Sequence, residues 1–90
     1  MNGGFPLQMP LSTTSAKDIE MWLAAQVAAI TGLSTDQVDV TQPFAEYGLD
    51  SLKAVTLVAD LEYWLGLDLP ATLFWDFPTI EAVAKVLTSS

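Results

Sequence analysis

Ninety residues with eleven acidic and three basic side chains, a net charge of -8 and neither Cys nor His leave room for one small acidic domain. The missing Cys excludes disulfides, a thiolate nucleophile and Cys-ligated metal, and the missing His excludes a Ser-His-Asp triad and the commonest general base. The charge disfavours nucleic acid and anionic membrane and favours a basic protein partner. The apolar stretches are too short and interrupted to span a bilayer, and no Lys/Arg-flanked signal core opens the chain, so a cytosolic setting is expected.

Residues 1–14 read as a tail or linker, because Gly3, Gly4, Pro6 and Pro10 break any period and Ser12 to Thr14 are small and polar. The folded domain is expected over residues 15–88, with residues 89–90 as a second tail. The first helix is predicted from Ala16 to Thr31, capped by Ser15 or Thr14 and stopped by Gly32. Ile19, Trp22, Leu23, Val27 and Ile30 recur on its buried face.

A long connection follows from Leu33 to Asp50. Val38, Val40, Phe44 and Leu49 are expected to pin it to the core, and a short helical turn is expected over Ser34 to Val38. The second helix starts at Asp50 or Ser51 and ends near Leu65, just before Gly66. Asp50 is its expected cap, Val55, Val58, Leu61 and Leu65 its buried stripe, and Leu52 and Leu57 its margins. Pro70 leads into a short apolar turn over Ala71 to Trp75. Thr79 caps a last helix whose buried face is Ile80, Val83, Val86 and Leu87. No strand alternation or repeat occurs. The expected fold is therefore all-α: a four-helix bundle with three main helices, a short third helix and a long loop between helices one and two.

Three tryptophans punctuate this pattern. Trp22 is expected in the core, and Trp75 between the short third helix and the bundle beside Phe74 and Phe77. Trp64 fits a half-buried place over the end of the second helix better than a partner patch with Tyr63.

The run Gly48-Leu49-Asp50-Ser51-Leu52 is where chemistry concentrates. By itself, Asp-Ser ahead of an apolar run describes any helix start. Gly48 permits a tight turn just before the helix, Ser51 falls at the first helical position, and Leu52 sets an apolar side chain at an exposed helix start.

The longer run Phe44-Ala45-Glu46-Tyr47-Gly48-Leu49-Asp50-Ser51-Leu52 resembles the attachment motif of acyl carrier proteins of polyketide and fatty acid synthases. So do Leu61-Glu62, the run from Leu69 to Phe74, and Phe77-Pro78-Thr79-Ile80. The likeness extends from about Ala16 to Leu87. It implies that Ser51 carries 4'-phosphopantetheine, derived from coenzyme A, through a phosphodiester. It also implies that the chain bears acyl or polyketide intermediates as thioesters and performs no catalysis.

The implied partners are a phosphopantetheinyl transferase and synthase enzymes such as a ketosynthase, an acyltransferase or acyl-activating ligase, and a thioesterase. The transferase would supply the base, magnesium and coenzyme A. The implied recognition surface is the motif and second helix: Gly48, Leu49, Asp50, Leu52, Lys53, Thr56, Asp60 and Glu62. Lys53, Thr56 and Tyr63 make this helix less acidic than in free-standing fatty acid carriers, which leans toward the polyketide type. Leu49, where peptidyl carriers often have a second Gly, favours acyl over peptidyl carriers. The alternatives are a peptidyl carrier domain of a nonribosomal peptide synthetase and an unmodified helical interaction module. A monomer is expected for the isolated domain.

Overall fold

A computed structural model describes residues 15–88, so both expected tails lie outside the described residues. The chain forms α1 (Ala16–Thr31), α2 (Ser51–Leu65), α3 (Leu73–Asp76) and α4 (Ile80–Thr88). Two 3-10 turns, Thr35–Gln37 and Phe44–Tyr47, lie in the connection between α1 and α2. No strand occurs among the described residues beyond an isolated antiparallel bridge between Pro43 and Thr79.

Local chemistry sets the bounds of α1. The Ser15 hydroxyl accepts from the Asp18 amide at 3.1 Å while the Asp18 carboxylate accepts from the Ser15 amide at 3.1 Å, so each satisfies a donor the helix start leaves unpaired. At the other end Gly32 takes φ +80° and donates to the Ala28 carbonyl, a left-handed stop that suits glycine.

Ile19, Leu23, Ala24, Val27 and Ala28 form the buried face of α1. Ile30, expected there, is 38% exposed. Trp22 is half-buried and stacks on Trp64 of α2, with ring centroids 4.9 Å apart and planes within 6°. This pair ties the first half of α1 to the end of α2, and Trp64 occupies the half-buried place over the helix end.

The stripe of α2 differs from the predicted one. Ala54, Leu57, Val58, Leu61 and Leu65 are buried, and Val55 is 41% exposed. Leu57, expected at the margin, is central. The reason is that apolar residues occur nearly all round this helix, so its rotation is chosen by its neighbours. Small Ala54 sits inward beneath the loop and α3, where a larger side chain would hold them off.

In α4 the buried residues are Ile80, Val83 and Ala84, while Val86 and Leu87 are half-buried. The Thr79 hydroxyl accepts from the Ala82 amide at 3.0 Å, the expected cap. The helix packs chiefly against α1.

The long loop is fastened at several points. Phe44 is buried and stacks on Phe74 of α3 at 4.3 Å. The Phe44 amide donates to the Pro78 carbonyl at 2.8 Å and the Glu81 amide to the Val40 carbonyl at 2.9 Å, which stitches the loop to the start of α4. Tyr47 closes an inner ring: its hydroxyl donates to the Asp39 carbonyl at 2.8 Å and accepts from the Asp39 amide at 2.6 Å. Val38, Val40, Tyr47 and Leu49 pack against the core.

Candidate functional site

The loop and α3 position the start of α2. The 3-10 turn Phe44–Tyr47 ends at Gly48, whose φ of +78° lies where a Cβ is penalised. The chain then reverses, and Asp50 caps α2 by accepting from the Lys53 amide at 2.9 Å. Because Asp50 supplies the cap, Ser51 becomes the first helical residue. Ser51 is exposed, and its hydroxyl makes no hydrogen bond among the described residues. A serine so placed has no structural task for its oxygen.

Ser51 stands at the rim of a cleft of about 420 Å³ between the loop, α2 and α3. Phe44, Leu49, Ala54, Phe74, Trp75 and the two prolines Pro43 and Pro78 make its walls apolar, and Asp50 and Ser51 bring polarity to its edge. Trp75 is 54% exposed here, which corrects the expectation that it packs into the bundle. The one-turn helix α3 turns Leu73 and Phe74 inward, so the next residue must face outward.

The residues expected to serve recognition divide. Leu52, Lys53, Thr56 and Asp60 line one shallow groove with Gln26 and Ile30 of α1, and Leu52 is 75% exposed. Gly48, Leu49 and Asp50 shape the turn and the cap. Glu62 has an internal task instead: its carboxylate accepts from the Leu69 amide at 2.6 Å and holds the segment after α2 against that helix. Tyr63 is 92% exposed, pointing away from the stacked Trp64. Leucine 69 gives no local sign of the Glu62 bond, so sequence pattern alone does not reveal it.

In the loop that leads to the site, Asp39 is held below the usual carboxylate range. The Thr41 hydroxyl donates to it at 2.6 Å and the Thr41 amide at 2.8 Å, and both favour the anion over a smaller opposing desolvation.

These features fit an anionic tether. Asp50 engages the Lys53 amide, while the amides of Ser51 and Leu52, in the first turn of the helix, make no bond to an acceptor among the described residues. The positive end of a helix stabilises a phosphodiester at that place.

Sequence and structure comparisons agree with that geometry. Residues 22–87 match the family model described as the phosphopantetheine attachment site, and the chain belongs to that family of carrier domains, whose covalently attached group is 4'-phosphopantetheine. It is 43% identical over 54 residues to the acyl carrier protein TtuC of Teredinibacter turnerae, covering 60% of this chain and 62% of TtuC. It is 41% identical over 76 residues to erythronolide synthase EryA3 of Saccharopolyspora erythraea, covering 83% of this chain but 2% of that synthase. The chain thus spans less than two thirds of either relative.

Among solved structures, the acyl carrier protein Asl1650 of Anabaena sp. PCC 7120 matches with a TM-score of 0.79 and 35% identity over 96% of both chains. A free-standing peptidyl carrier protein of Acinetobacter baumannii matches with a TM-score of 0.77 and 35% identity, over 83% of this chain and 94% of its own. No helix among the described residues is long and apolar enough to cross a membrane.

Proposed function

We propose that Ser51 is the residue that bears the 4'-phosphopantetheine arm, and that the domain presents polyketide or acyl intermediates to synthase enzymes without catalysing their conversion. The observation that supports this most directly is the division of labour at the start of α2. Asp50 caps the helix, so the exposed Ser51 hydroxyl is left without a hydrogen-bond partner among the described residues. When bound, the arm supplies a terminal thiol that holds acyl groups as thioesters, a function no side chain here can provide because the chain has no Cys.

Attachment needs a second protein. Ser51 has no neighbouring His or Lys hydrogen-bonded to it that could take its proton. The transferase provides a base for the hydroxyl proton. The Ser51 oxygen forms the new bond to phosphorus as the pyrophosphate bridge of coenzyme A breaks, and the adenosine bisphosphate half leaves. The helix amides at Ser51 and Leu52 then lie beside the phosphodiester.

Leu52, Lys53, Thr56 and Asp60 form the face offered to the transferase, ketosynthase, acyltransferase or ligase, and thioesterase. With a net charge of -8, encounters with basic partner surfaces are favoured and weaken with salt.

Incubation with coenzyme A and a broad-specificity phosphopantetheinyl transferase should add the mass of one arm to the wild type and none to Ser51→Ala. A folded wild type that gains no mass would overturn the carrier reading. The likeness to the Acinetobacter peptidyl carrier supports a second reading, loading by an amino-acid-activating enzyme. Challenge of the loaded protein with acyl- and aminoacyl-activating ligases separates the two.

A further inference from the structure

We infer that the groove between α1 and the loop that follows it is the seat of the chain's own segment from Phe5 to Leu11. Met21, Ala24 and Ala25 of α1 line a cleft of about 330 Å³ with Val38 and Val40 of the loop. Met21 is 59% exposed, and Ala25 one turn further on is exposed as well. The two alanines keep the cleft open, because their side chains are too short to fill it. Apolar walls left to water in this way favour an apolar occupant.

The segment's sequence matches that cleft. Phe5, Leu7, Met9 and Leu11 alternate with Pro6, Gln8 and Pro10. The prolines favour extended backbone both at themselves and at the residue before them. In an extended chain every second side chain shares a face, so the large apolar residues form one edge and Gln8 lies on the other. Gly3 and Gly4 close the pattern on one side, and Ser12 to Thr14 close it on the other. None of the chain's charged residues occurs before Lys17. A segment that only had to stay hydrated between two domains would be polar or charged, and this one is neither.

The path of the chain allows the match. Ser15, where the described residues begin, is two positions from Lys17, which lines the near end of the cleft. Ser12 to Thr14 supply the turn back along α1. From Lys17 to Ala25 the helix rises about 12 Å, and seven extended residues span about 23 Å, so Phe5 to Leu11 can cover the whole cleft. The covalent connection holds even a weak apolar contact at high effective concentration, an advantage that no separate chain has. The cleft shares no lining residue with the one beside Ser51 or with the groove of Leu52 and Thr56. The seated segment therefore leaves both open, and any chain before Phe5 departs from the far end of the cleft rather than from the helix start at Ser15.

The test uses the full chain. It has no Cys, so Gln8→Cys introduces a single thiol that takes a nitroxide on the edge opposite the apolar side chains. Amide NMR signals are compared before and after reduction of the nitroxide. Those of Met21, Ala25, Val38 and Val40 should be lost while it is active and return on its reduction, and those of Ser51 and Trp75 should persist throughout. Adding Leu7→Asp and Met9→Asp to the labelled chain should restore the lost signals, since carboxylates on the apolar edge oppose its burial. Loss confined to the residues nearest Ser15 would overturn the proposal, as would loss at the cleft that survives the two aspartates. A mixture of nitroxide-bearing chain with isotope-labelled wild type identifies the source of the segment. Signal loss at the cleft in that mixture would assign the segment to a second copy and overturn the intramolecular seat. None of these outcomes depends on whether Ser51 carries an arm.

Discussion

Asp50 and Ser51 are neighbours with separable duties, and substitution should expose the separation. Asp50→Ala removes the oxygen that accepts from the Lys53 amide and should cost about 1 kcal/mol of stability, measured by denaturant unfolding. Ser51→Ala should change stability by less than about 0.5 kcal/mol, as surface changes away from caps and packing do, while abolishing arm attachment. A large stability loss in Ser51→Ala would give the hydroxyl a structural role that its lack of bonds denies. Asp39 adds a pH-dependent contribution. Its two bonds from Thr41 lower its pKa in the fold below the ordinary value of 3.8. An aspartate with a depressed folded pKa stabilises the fold above its unfolded pKa and loses that contribution as pH falls through the folded value. The melting-temperature advantage of wild type over Asp39→Ala should therefore be present at neutral pH and shrink in acid below that range. An advantage that persists unchanged in strong acid would rule the linkage out.

At the scale of elements, the rotation of α2 is the quantity to test. Leu61 is fully buried and Val55 is 41% exposed. Leu61→Ala should cost about 2–5 kcal/mol through lost packing and a residual cavity, and Val55→Ala about 0.5 kcal/mol or less. Similar losses at both positions would mean that α2 is turned differently. Helix ends were readable because their causes are local: Ser15 with Asp18, Gly32, Asp50, Gly66 and Thr79 each act within a few residues of the boundary they set. The inner face of α2 was not, because Leu52, Ala54, Val55, Leu57, Val58, Leu61 and Leu65 allow two rotations about 100° apart. The segments packed around α2 choose between them. The outward face of Trp75 and the Glu62–Leu69 bond belong to the same class, since each depends on where a distant segment lies. The attachment motif could be read as a unit from Phe44 to Leu52, but the cleft could not, since its walls come from three separate stretches of chain.

For the whole molecule, the stability of the site depends on the loop's attachment to the bundle. Phe44 joins the loop to α3 through its stack on Phe74. Phe44→Ala should cost about 3–5 kcal/mol, a large part of the roughly 5–15 kcal/mol total stability of a native domain. Thermal melts should show a markedly lower midpoint, and an unchanged midpoint would mean that the loop is held chiefly by its other bonds. The loop and α2 are then fixed with respect to each other.

The two backbone bonds between the loop and the start of α4, Phe44 to Pro78 and Glu81 to Val40, make that fixity visible in time. An amide in an ordinary loop trades its hydrogen for deuterium by local fluctuation. Here both amides can open only if the loop parts from the start of α4, and the stack of Phe44 on Phe74 of α3 holds the loop against that parting. Their exchange should therefore keep pace with the slowest core amides of α1 and α2 rather than with the turns around them. The stretch of chain leading to Ser51, irregular in outline, would then share the lifetime of the core, opening to solvent when the whole domain opens.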